Sequence, residues 1–89
     1  MIECTTRSGF TCKLDENVMN NMELVDIMAD SSMNAAFRVS AAAKLILGPV
    51  QKKQLYDHLR TEDGRVPIEK LEETITDIFD FFGQQGKNS

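Results

Sequence analysis

Tryptophan is absent, histidine occurs once, and cysteine and proline occur twice each. Cys4 and Cys12 are too few for a disulfide scaffold, and no spaced set of Cys and His could hold zinc. His58 has no ligand partner at a useful spacing. Positive charge is also scarce: 10 Lys and Arg against 14 Asp and Glu give a net charge of −4. Nucleic acid is therefore not an expected partner, because phosphate binding needs clustered cations that release counterions. No apolar run approaches the ~20 residues that span a bilayer, so no membrane association is expected. The first residues alternate in the manner of a strand and lack the basic start and apolar centre of a signal peptide, so the expected location is a cytoplasm. No internal repeat or low-complexity block is visible.

What is present suits one small folded domain. The 89 residues leave no room for a second core, and an apolar fraction of 42% with 27% charged residues is that of a globular chain. A chain this short has little volume for a deep substrate cavity.

Residues 2–14 alternate with period two. Ile2, Cys4, Thr6, Phe10, Cys12 and Leu14 share one face, with Glu3, Thr5, Arg7, Thr11 and Lys13 on the other. Facing residues must share a face, which predicts a hairpin pairing 2 with 14, 4 with 12 and 6 with 10 around an Arg7-Ser8-Gly9 loop, Gly9 being left-handed. Cys4 then faces Cys12, and in a reducing cytoplasm the pair is expected to remain two small apolar thiols.

Helical patterns follow. Asp15 and the Asn20-Asn21-Met22-Glu23 segment each offer a start, the latter resembling a capping box with Asn20 as N-cap. Met19, Met22, Val25 and Met28 form an apolar stripe, and Asp30 to Asn34 breaks it. Ala35, Phe37, Ala42, Leu45 and Ile46 supply the contacts of a second helix that ends at Gly48-Pro49. Pro49 suits the first turn of a third, with Val50, Leu55, Tyr56 and Leu59 on its apolar face. Thr61 to Arg65 is a turn. The last helix opens near Pro67 and repeats Ile68, Leu71, Ile75, Ile78, Phe79 and Phe82, while Glu69, Glu72 and Glu73 suit its N-terminal dipole. The expected fold is mainly α, or α+β by strict count. An N-terminal β-hairpin over 2–14 precedes about four short helices, near 16–29, 34–47, 49–60 and 67–82, in a single domain of residues 1–83 with 84–89 as a flexible tail.

Asp63-Gly64 suggests a calcium loop, but with Gly64 at the sixth loop position Leu59 falls first and Lys70 last, where an EF-hand needs carboxylates. Asp30-Ser31 resembles the start of the prosthetic-group helix of an acyl carrier protein. That family, however, presents an acidic second helix, whereas Arg38 and Lys44 lie here, and capping by Ser31 or Ser32 accounts for the motif. Asp57 and His58 are adjacent, so on a helix they point about 100° apart and form no dyad. With no nucleophile and base, carboxylate pair or phosphate loop at a working spacing, the chain is expected not to be an enzyme and to use no cofactor or metal. Two apolar groups stand out instead: methionines in the first helix, which suit varied apolar partners, and Phe79, Phe81 and Phe82, which occupy more than one helix face. Met22, Met28, Phe79, Phe81 and Phe82 are the candidate partner-binding residues.

Ser8-Gly9-Phe10, Met22-Glu23-Leu24, Leu45-Ile46-Leu47-Gly48 and, most distinctively, Tyr56 through Pro67 together resemble the small tail assembly chaperones of long-tailed phages and of prophages in Gram-positive bacteria. The similarity covers about residues 5–80. It implies a protein of the host cytoplasm, absent from the finished virion, that keeps the tape measure protein soluble during tail assembly, with the tail tube protein as a second candidate partner. The same apolar surface is open to homo-oligomer formation. The alternative from composition alone is a protein–protein adaptor or regulatory module unrelated to phage.

Overall fold

The computed structural model describes the backbone of residues 1–87 and side-chain environments through Gly83. Its elements run β1 (Ile2–Thr5), β2 (Thr11–Leu14), α1 (Met22–Ala29), α2 (Ala35–Leu59) and α3 (Ile68–Lys87). The two strands pair antiparallel, Ile2 with Leu14, Glu3 with Lys13, Cys4 with Cys12 and Thr5 with Thr11, which is the register expected from the alternation. The loop is also as expected. Thr6 N donates to Phe10 O at 2.9 Å, Gly9 N donates to Thr6 O at 2.9 Å, and Gly9 sits at φ +86°, where a Cβ is disfavoured. The segment from Thr61 to Arg65 repeats this closure, with Thr61 N donating to Arg65 O at 2.8 Å and Gly64 N to Thr61 O at 2.9 Å.

Cys4, Phe10, Cys12 and Leu14 point inward and are buried. The cysteines are free thiols, and Cys12 Sγ lies 3.6 Å from the Cys4 carbonyl oxygen. Burial and the neighbouring Cys4 push the Cys12 thiol from 9.0 up to about 11, and burial raises Cys4 as well. Reaction needs the thiolate, so at neutral pH Cys12 in the folded protein carries about 100-fold less of it than an ordinary cysteine. Thiol titration with a disulfide reagent should therefore be slow in buffer and fast in denaturant. A raised acid pKa favours the neutral thiol in the fold, so this stabilisation is complete below about pH 9 and is lost as pH rises through about 11.

Between hairpin and α1 the chain makes turns rather than the helix expected from residue 16. Asp15 Oδ1 accepts from Asn17 N at 2.7 Å, Val18 N donates to Asp15 O at 3.1 Å, and Asn20 N to Asn17 O at 2.9 Å. Helix α1 starts only at Met22, capped by Asn21 and not Asn20, because the Asn21 side chain accepts from Glu23 N at 2.9 Å. It ends where Asp30 folds its carboxylate back on Ser32 N and Oγ, contacts that also hold the carboxyl below its ordinary pKa.

Helix α2 is capped by Asn34, whose Oδ1 accepts from Ala36 N at 2.9 Å. Three continuous helical elements stand where about four were expected, because α2 holds the expected second and third helices joined at a kink. The second and third expected helices run together without a connecting loop, broken only at Gly48 (φ +77°, ψ 167°) before Pro49. Pro49 has no N–H and its ring opposes the preceding turn, so the ladder must break there, and Gly48 absorbs the change of direction. Ala42 and Ala43 are fully buried, and their small side chains let neighbouring elements approach closely. Helix α3 buries Leu71, Thr74, Ile75 and Ile78, with Thr74 Oγ1 donating to Lys70 O at 2.9 Å. It continues through Gly83 to Lys87, beyond the end expected at Phe82. Asn88 and Ser89, the end of the expected tail, lie outside the described residues.

One core joins the hairpin to all three helices, with α2 central to it. The hairpin is fastened by polar contacts as well. Arg7 N and Nε donate to the two oxygens of Asp77 at 2.9 and 2.8 Å, His58 Nε2 meets Ser8 O at 2.8 Å, and the Phe10 and His58 rings lie 5.7 Å apart. Gln51 holds both backbone groups of Lys13, accepting from its N–H and donating to its carbonyl, each at 2.8 Å.

Candidate partner-binding site

An apolar cleft of about 430 Å³ opens between α1 and α3, lined by Met19, Leu24, Val25, Met28, Ala29 and Phe79. Leu24 is buried and forms the floor, whereas Val25 is half exposed on the rim. The methionines turn flexible thioethers to the surface of the cleft, which lets it adapt to differing apolar shapes. Beside it Met22 is 67% exposed, one turn before Val25 on the same side of α1. Of the five residues singled out from the sequence, the structure thus brings Met28 and Phe79 into one wall and leaves Met22 exposed outside the lining.

Phe81 and Phe82 take a different position. Both are partly buried against the core, and their rings meet edge to face with centroids 5.5 Å apart. Phe79 also packs partly against the core, so it is at once support and surface.

Sequence periodicity assigned Phe37, Val50 and Ile68 to the interior, and the structure places them outside, at 68%, 69% and 56% exposure. Phe37 lies in the first turn of α2 and Ile68 opens α3, before either helix reaches its packed portion. They form the mouth of a second, smaller apolar groove of about 250 Å³ with Val39, Tyr56, Val66 and Pro67. Nothing in the spacing of either helix distinguishes these terminal positions from core ones, but proximity to the cap residues is a usable signal.

Most of the remaining surface chemistry is ionic. Lys44, Lys52, Lys53 and Arg60 surround Pro49 and Tyr56 in a cationic groove of about 370 Å³, with Lys52 Nζ 5.4 Å from the Tyr56 ring centroid and 3.0 Å from Ser40 Oγ. Asp57 does not join His58. Its carboxylate takes Lys53 at 2.9 Å and Arg60 at 3.3 Å, and the Lys53 hydrogen bond foremost holds it below its ordinary pKa. Asp63 binds Thr61 and Arg65, and these bonds lower its pKa too. Among the described residues, no group of three His, Cys, Asp or Glu side chains is arranged to hold a metal ion, and no helix is long and apolar enough to cross a membrane.

No protein-family model, curated protein or solved structure matches this chain. The functional reading therefore rests on the cleft itself. It is open, shallow and apolar, with Glu23, Asp26 and Asp80 exposed next in sequence to its lining residues Leu24, Val25 and Phe79. Such a surface suits capture of an amphipathic helix whose apolar face enters the cleft and whose flanks carry Lys or Arg.

Proposed function

We propose that this protein is a tail assembly chaperone, which holds apolar helical segments of the tape measure protein in the α1–α3 cleft and keeps that protein soluble in the host cytoplasm until tail tube subunits enclose it. The observation that carries the reading is an adaptable apolar cleft, with Met19, Met28 and Phe79 in its wall and Met22 exposed beside it, on a small acidic body. The resemblance of Tyr56 through Pro67 to that chaperone family points the same way. An aggregation-prone helical client needs a surface that is apolar and tolerant of sequence, and a chaperone absent from the finished virion must release it. Both needs suit a shallow cleft rather than a deep one.

The test is co-expression with the tape measure protein encoded beside the gene. Wild-type protein is expected to raise the soluble fraction of the client and to co-purify with it. Because Phe79 and Phe82 also support the core, Met22→Glu and Val25→Glu are the cleaner probes. Each should change stability by no more than about 0.5 kcal/mol, the ordinary range for a surface site, yet weaken client capture by about tenfold or more. Client solubility that is the same with and without this protein, or capture unaltered by both substitutions, ends the proposal.

A further inference from the structure

We propose that the outer edge of β1 is a self-association site, at which two copies of this chain pair antiparallel about Cys4 to make one four-stranded sheet. The two edges of the hairpin are treated differently. On β2, Gln51 of α2 occupies both backbone groups of Lys13, so that edge is covered at Lys13 and open only at Thr11, beside the loop. Directly opposed residues of an antiparallel ladder point their backbone groups in opposite directions, both toward the partner strand or both away from it. Lys13 faces Glu3 and points away from β1, so the N–H and C=O of Glu3 point away from β2, and those of Thr5, two residues on, do the same. Thr6 N bonded to Phe10 O fixes the same parity from the other end of the hairpin. Among the described residues, no hydrogen bond reaches the outward backbone groups of Glu3 or Thr5. Helix α2 packs on β2, and no helix makes comparable contact with β1. Ile2-Glu3-Cys4-Thr5 has no Pro, bulge or inward charge to shield its edge, and its one charged side chain, Glu3, is met by an uncharged residue in the register centred on Cys4.

The occupant follows from the register. A two-fold axis at Thr5 would require the Arg7 N–H of each copy, which is already held by Asp77 at 2.9 Å. An axis at Glu3 would set two carboxylates face to face, which is unfavourable. An axis at Cys4 sets Glu3 opposite Thr5 of the second copy, twice over. It joins only free groups in four N–H···O bonds and sets no like charges opposite each other within residues 2–6. Ile2, only partly buried in one copy, then lies opposite Thr6 of the other on the core face and is covered. The strand is thus complementary to itself, as an isologous interface must be. This association needs no client, so it stands or falls independently of the chaperone reading.

Sedimentation equilibrium of the full chain, with amide hydrogen exchange at dilute and high protein concentration, tests it. A dimer is expected, and the Glu3 and Thr5 amides should exchange about tenfold or more slowly in the concentrated sample, while the Lys13 amide changes little. Glu3→Pro deletes one outward N–H without touching a bond to β2, and Thr5→Pro deletes the other with loss of only the exposed Thr5–Thr11 hydroxyl contact at 2.8 Å. Each should give monomers of unchanged helix content, and Thr5→Val, which removes that contact and keeps the N–H, should remain a dimer. A chain monomeric up to millimolar concentration overturns the proposal, as does a dimer whose Glu3 and Thr5 amides remain unprotected. Protection that appears only when a client is added also overturns it, in favour of a client strand on the same edge.

Discussion

Leu55→Ala is expected to destabilise the protein by about 3 kcal/mol, within the range of about 2–5 kcal/mol found for buried leucines. Leu55 is wholly buried in the half of α2 that follows the break, and it belongs to the one core that also holds the hairpin. Removing the isobutyl group withdraws apolar area from that core and leaves a void that fixed backbone on several sides cannot close. A domain of this length has a total stability of roughly 5–13 kcal/mol, so the loss is a large fraction of it. In thermal melts it corresponds to a fall in Tm on the order of 15 °C. Val50→Ala, one and a half turns earlier on the same helix, removes a side chain that is 69% exposed and should shift stability by no more than about 0.5 kcal/mol. Equal effects at the two sites would show that the burial pattern of α2 is wrong.

The contrast between Leu55 and Val50 also shows how far the sequence could be read. The hairpin was legible to the residue because a period-two pattern excludes every odd shift of register, and a short loop closed by Gly9 selects one of the even ones. The start of α1 was less so. Asp15, Asn20 and Asn21 all have capping side chains, and only the fold decides that Asn21 accepts from Glu23 N while Asp15 stays in a turn. The end of α3 was read too early because Gly83 looks like a stop, yet a glycine inside a helix costs only about 1 kcal/mol against alanine, which a well-packed helix overrides.

The candidate site was legible as composition and not as geometry. A stripe containing Met22 and Met28 and a cluster of Phe residues could be found by spacing, but which ring would meet which methionine depends on how α1 and α3 pack, and that is a long-range fact. Hence Phe79 shares a cleft with Met28, while Phe81 and Phe82 turn to each other and the core. Phe37 and Ile68 failed for a related reason: helical periodicity assigns an azimuth to a residue but does not say whether a neighbour extends far enough to cover it. Ionic positions were hidden as well, since the Arg7–Asp77 contact joins a hairpin loop to the middle of α3.

Gly48→Ala and Gly83→Ala should move stability in opposite directions, though both replace a glycine by the best helix former. At Gly48 the backbone is at φ +77° and ψ 167°, a region essentially reserved for glycine, and a side chain there strains the chain even though no atom lies within 4 Å of the added Cβ. The expected cost is about 1–3 kcal/mol. If α2 relieved the strain by straightening, Pro49 would oppose it, because its ring cannot sit against a regular preceding turn and its nitrogen donates nothing. The break is therefore fixed from both sides, by a residue that can turn and a residue that cannot continue. At Gly83 the backbone is within α3, the added Cβ again meets nothing within 4 Å, and the alanine restricts the unfolded chain, so a gain of about 0.5–1 kcal/mol is expected. Chemical denaturation of the two variants measures both signs with the same slope. A neutral Gly48→Ala would mean that α2 passes Pro49 as a smooth bend, and a destabilising Gly83→Ala would mean that α3 ends before Gly83, where the sequence alone had placed its limit.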